Sequence, residues 1–251
     1  MNGVKYWIAI LFLLFANFFL FPPAKAETPN SLTYIALGDS LSAGYGSSEV
    51  DFLRINGFVP RFVNYLRDDN LVHVENHSVP GLSSAGLQLM LETDIGLQNR
   101  LKEADIITLS IGGNDFLNTV RANPNIGDVG LSLRMSLLEE NYHSIINRIK
   151  ELNSDAIVIL LGLYNPYYEN HELKANGDTF APLFNDFIDT FADSRTIVVN
   201  PFEQFVGREK QLTHIEDEDI HPNDEGYFVI HELLVEEYEK FLGIINEVRT
   251  D

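Results

Sequence analysis

The sequence predicts an α/β protein: a five-stranded parallel sheet covered by helices on both faces. Three observations lead there. Apolar runs with strand character alternate with amphipathic segments of helical period. Several runs are apolar at consecutive positions, as in strands buried on both sides. The polar residues suited to chemistry come just after these runs, at the strand ends where open parallel sheets place ligands.

The first strand is the run from Leu32 to Leu37, broken at Gly38, with Ser40 two residues on and further glycines at Gly44 and Gly46. Residues 58–67 read as a short helix with Phe58, Phe62, Tyr65 and Leu66 on one side. Residues 71–79 read as a second strand. Val72 and Val74 alternate there with His73, Glu75 and His77, as on an edge strand with one wet face. A helix is expected over 84–103, then a third strand over 104–111 with Ile106, Ile107, Leu109 and Ile111.

The clearest helix is 131–152. Leu131, Met135, Leu138, Tyr142, Ile145, Ile149 and Leu152 recur at steps of four and three, the stripe of one helix docked on a sheet. The fourth strand, 156–161, is wholly apolar. A long loop with Tyr164, Pro166, Tyr167 and Tyr168 follows it. A short helix over 182–191, a fifth strand over 196–199 and a last helix from about Asn223 complete the order.

The bulk numbers limit the function. The chain has 251 residues, 45% hydrophobic, with net charge −20 and no cysteine. The acidic balance argues against nucleic acid or an anionic membrane as partner. Without cysteine there is no thiol nucleophile, no disulfide and no Cys-ligated metal. Residues 1–26 read as an export signal: Lys5, an apolar stretch over 7–21, then Pro22-Pro23 and Ala24-Lys25-Ala26. That stretch is about 15 residues, short of the roughly 20 that span a bilayer. A secreted or extracytoplasmic protein with one domain over 27–251, and no membrane span once the signal is cleaved, is expected. An uncleaved anchor is the alternative.

Ser40 needs a base to take its proton before it can act as a nucleophile. His221 is the best candidate. Pro222 holds it extended before the last helix, and Asn223 can cap that helix. A carboxylate would fix the imidazole tautomer. Glu218, three residues upstream, is the expected source, with Asp219 the alternative. The Ser40 N–H, the Gly81 N–H and the Asn114 side-chain amide are donor types suited to an oxyanion.

Taken together, Gly38-Asp39-Ser40-Leu41, Gly81, Gly112-Gly113-Asn114-Asp115 and Glu218-Asp219-Ile220-His221-Pro222 resemble, in order, the four blocks of the GDSL or SGNH hydrolase family. The resemblance implies a flavodoxin-like three-layer α/β/α sandwich, the SGNH hydrolase fold. It implies an esterase or lipase that needs no cofactor and acts on small-molecule esters, of lipids or acylated glycans. By this similarity Ser40 is the nucleophile, His221 the base, Ser40, Gly81 and Asn114 the oxyanion donors, and Asp39 a support that orders the loop. The family usually carries Asp three residues before the His, where this chain has Glu218.

Other readings are weaker. No Lys follows the glycines after Ser40, so a Walker motif fails, and Gly44-Tyr45-Gly46 lacks the third glycine of a dinucleotide fingerprint. No Gly-x-Ser-x-Gly elbow exists. His73, Glu75 and His77 share one strand face, but an exposed edge explains them and no metal is expected. Tyr164, Tyr167 and Tyr168, like Phe52, Phe58 and Phe116, either line an acyl pocket or pack the loops. Two functions on the same scaffold are the alternatives: an acyl- or glycan-binding protein without turnover, and an acyltransferase.

Overall fold

A computed structural model describes residues 30–123 and 126–250. The segment expected to be an export signal lies outside the described residues. Strand β1, Asn30–Gly38, lies inside the sheet, and Tyr34 to Leu37 are fully buried. Helix α1, Phe58–Leu66, leads to β2, Asn70–Asn76. The Val79 N–H donates to the Gly38 carbonyl (2.9 Å) and the His77 N–H to that of Ala36 (2.8 Å). These bonds run β2 parallel to β1 at the edge of the sheet, as its alternation predicts.

The helix expected over 84–103 is two helices, α2 (Ser84–Thr93) and α3 (Ile95–Leu101). Asp94 parts them. Its backbone is extended, and its carboxylate accepts from the Leu97 N–H to cap α3 (3.0 Å). Strand β3, Ile106–Ser110, is buried at every position. Helix α4, Gly113–Ala122, follows it directly and was not expected, since Gly-Gly at its start is poor helix sequence. Helix α5, Asp128–Leu152, buries Leu131, Met135, Leu138, Tyr142, Ile145 and Ile149.

Strand β4, Ile157–Leu161, is followed by α6, Lys174–Asp189. The predicted start at Pro182 is too late: the helix runs through that proline. Strand β5, Thr196–Val199, precedes two short helices, α7 (Phe202–Phe205) and α8 (Glu209–Leu212), and a 3-10 turn, Ile215–Asp217. The last helix, α9, is Asp224–Thr250. Asn223 caps it as expected, its Oδ1 accepting from the Glu225 and Gly226 N–H groups (3.0 Å each).

The sheet order is β2-β1-β3-β4-β5, the flavodoxin-like order. Alternate residues divide the core. Ile35, Leu37, Ile107, Leu109, Val158 and Leu160 face one layer with Leu87, Tyr142 and Phe184. Tyr34, Ala36, Ile106, Ile159 and Leu161 face the other with Phe58, Phe62, Tyr227 and Leu234. This is the three-layer α/β/α sandwich. Register aligns Gly38 with Ser110, Ser110 with Leu161, and Leu161 with Val199. The four strands therefore end level, and the loops after them share one edge.

Candidate active site

The turn after β1 is set by a close approach. A Cβ on Gly38 would lie 2.3 Å from the Ser110 carbonyl oxygen, so only glycine fits (φ 143°). The Asp39 N–H donates to that same oxygen (3.1 Å). The chain then coils tightly: the Ala43 N–H donates to Asp39 O and the Tyr45 N–H to Ser40 O (3.1 and 3.0 Å). Ser40 stands at the head of this coil, over the strand ends.

His221 arrives from the other end of the chain. Its Nε2 lies 2.8 Å from Ser40 Oγ, across 181 positions of sequence. Its Nδ1 lies 2.5 Å from Asp219 Oδ1. The carboxylate can only accept, so Nδ1 carries the proton and Nε2 accepts from the Ser40 hydroxyl. The expected partner, Glu218, makes no such contact. It closes the 3-10 turn in the left-handed region (φ 60°), while Asp219, one residue on, loops back to His221. Asp219 Oδ1 also accepts from the His221 backbone N–H (3.1 Å), an Asx turn that a longer glutamate fits poorly.

Three contacts that sequence reasoning did not identify hold the His221 and Ser40 loops. The Tyr164 hydroxyl donates to the Ile220 carbonyl (2.8 Å), with its ring stacked on Phe205 (4.2 Å). The His214 Nε2 donates to the Gly46 carbonyl (2.8 Å), tying the two loops together. The Tyr227 hydroxyl donates to the Tyr45 carbonyl (2.7 Å). Nothing in the sequence separates these tyrosines and this histidine from ordinary core and surface residues.

The expected donors divide. Ser40 and Gly81 both line the cleft, and among the described residues neither N–H donates to a protein acceptor. The Asn114 amide also lines the cleft, but both its hydrogens are engaged, one with the Leu82 carbonyl (2.9 Å) and one with Asp39 Oδ2 (3.2 Å). Asp39 is buried and accepts from the Leu41 N–H as well (3.0 Å). Burial raises its carboxyl to about 7, against the lowering effect of its hydrogen bonds.

A cleft of about 320 Å³ opens beside Ser40. It runs along α4, past Phe116, Leu117, Phe180, Ala181 and Tyr167, with Arg121 at its rim. Tyr164 and Tyr167 thus meet the pocket reading and Tyr168 does not. Phe116 lines the cleft, Phe58 is core and Phe52 is 94% exposed. His73 and His77 both hydrogen-bond the Glu75 carboxylate on β2 (3.2 and 3.0 Å), with Arg100 at 3.6 Å.

The comparisons with known proteins agree with this geometry. Residues 36–228 match the model of the GDSL-like lipase/acylhydrolase family. The chain belongs to this family. Relatives of this GDSL-like chain include a spore germination lipase, LipC, of Bacillus licheniformis, 29% identical over 81% of this chain and 95% of its own length. The crystal structure of the lipase Lip_vut3 from a goat rumen metagenome is 28% identical, with a TM-score of 0.71 over 82% of this chain and 97% of that one. An acetylxylan esterase from Geobacillus stearothermophilus, 16% identical with a TM-score of 0.62 over 84% and 95%, shares the fold. This GDSL-family chain is a hydrolase of the lipase and esterase type.

Proposed function

We propose that the chain is an exported esterase that cleaves carboxylic esters through an acyl-enzyme on Ser40. The carrying observation is the relay of Ser40, His221 and Asp219 at the mouth of an apolar cleft. In this reading the Ser40 Oγ attacks the ester carbonyl carbon while His221 Nε2 takes its proton. Asp219 holds the Nδ1 proton and stabilises the imidazolium. The carbonyl oxygen, now an oxyanion, takes hydrogen bonds from the Ser40 and Gly81 N–H groups. Asn114 joins them by exchanging its longer bond, to Asp39, for the oxyanion. The tetrahedral adduct collapses, the C–O bond to the alcohol breaks, and His221 returns its proton to the leaving oxygen. Water, deprotonated by His221, then releases the acid and restores Ser40.

The apolar walls of the cleft favour an acyl chain over a polar glycan. The reading of residues 1–26 as an export signal supports action outside the cytoplasm. Hydrolysis of p-nitrophenyl esters tests the chemistry: Ser40→Ala and His221→Ala should each abolish it, and unchanged rates in either would refute the assignment. Sequencing the N-terminus of protein recovered outside the cell tests export, and Glu27 is the expected first residue.

A further inference from the structure

The loop 48–57 raises four large apolar side chains into solvent next to the cleft. Val50 is 51% exposed, Phe52 94%, Leu53 65% and Ile55 45%. Its tip is a two-residue hairpin turn, in which Val50 and Leu53 exchange both backbone hydrogen bonds (2.9 Å each). The two central residues, Asp51 (φ 50°) and Phe52 (φ 67°), are both left-handed. That is the pattern of a type I′ turn, which favours Asn-Gly and disfavours an aromatic residue. No packing offsets the unfavourable backbone at Phe52, because its ring stands in water. A strained conformation that displays an apolar ring points to a role for the ring.

Both ends of the loop are tied to Asp224, close in sequence to His221. The Ser48 N–H and Oγ–H donate to Asp224 (2.7 and 2.6 Å), and the Asn56 amide donates to the same carboxylate (3.0 Å). Asp224 opens α9, three positions after His221. Between them, the Arg54 guanidinium lies 4.0 Å above the Tyr45 ring. Tyr45 lines the cleft, its ring 5.7 Å from that of His221.

We propose that this tip inserts into an uncharged or zwitterionic lipid surface and sets the mouth of the cleft against it. Four partly exposed side chains alone fall short of the roughly 800 Å² per partner that a stable protein interface needs. A fluid acyl layer takes in such a loop tip without matching its shape, and apolar side chains enter it favourably. Charge selects the kind of surface. Glu49 is paired with Arg54 (2.6 Å), which leaves Asp51, among the described residues, as the unpaired charge of the tip, on a chain of net charge −20. An anionic surface would repel it. The docking stands by itself; its use, to draw ester substrate from an aggregate, rests on the esterase reading.

The test places a reporter in the turn. The chain has one tryptophan, Trp7, so Phe52→Trp adds a local signal, with wild type as the background. Its emission should shift to the blue on mixing with phosphatidylcholine vesicles, and less with phosphatidylglycerol vesicles at low salt. The double variant Phe52→Ser, Leu53→Ser should cleave a dispersed long-chain ester about tenfold more slowly or worse, from the lost burial of two side chains. It should cleave a water-soluble short ester within about twofold of wild type. No shift with phosphatidylcholine overturns the proposal, as does a shift that follows protein concentration without vesicles. Equal loss on soluble and dispersed esters also overturns it. If neither ester is cleaved by wild type but the shift persists, the esterase reading fails and the docking stands.

Discussion

One oxygen of Asp219 serves His221 twice, at Nδ1 and at the backbone N–H. The aspartate therefore fixes both the ring and the loop that carries it. Asp219→Asn should lower kcat by about 10²–10⁴, by favouring the wrong imidazole tautomer. Glu218→Gln should stay within about twofold of wild type. Steady-state kinetics on a soluble ester decide between them, and the reverse ranking would return the acid to Glu218.

A second prediction concerns Gly46. A Cβ there would lie 2.4 Å from the Pro222 carbonyl oxygen and 2.8 Å from His221 Cβ, on a left-handed backbone (φ 85°). Gly46→Ala should push the His221 loop away from Ser40. We expect kcat/KM to fall at least tenfold and stability by about 2 kcal/mol. Unfolding monitored beside kinetics checks both.

Asp39 gives stability a pH dependence of definite sign. Burial raises its folded pKa from the ordinary 3.8 to about 7. The folded state thus holds the proton more tightly than the unfolded chain, and stability falls as pH rises from about 4 to 7. The full effect is about 4 kcal/mol. In Asp39→Asn that contribution is absent, so urea unfolding across this range should show a flatter profile than wild type. A profile of the same slope would mean that Asp39 is ionised throughout.

Leu117 and Ala181 line the cleft. Leu117→Trp should obstruct it while leaving Ser40 accessible. The ratio of p-nitrophenyl octanoate to acetate hydrolysis should drop about 10–100-fold, since each buried methylene contributes to discrimination. An unchanged ratio would place the acyl chain elsewhere.

Much of this was legible in the sequence because it is local or periodic. The stripe from Leu131 to Ile149 and the apolar run of β4 each declare their element alone. The three glycine-marked blocks, at 38–41, 81 and 112–115, declare the ends of the first three strands. What was hidden is set by neighbours. Asp94 splits a helix that periodicity joins, and Pro182 sits inside a helix that starts eight residues earlier. The choice of Asp219 over Glu218 depends on one left-handed residue, which spacing alone does not reveal. Tyr164 and His214 hold the loop by contacts with Ile220 and Gly46, visible only once distant segments meet.

The span between Ser40 and His221 also orders events during synthesis. Every strand of the sheet is made before His221, whose imidazole reaches Ser40 from the loop that precedes α9. A polypeptide cut short after β5 would therefore carry an inert serine. On the proposed mechanism, premature termination would yield a silent protein and not a weak one.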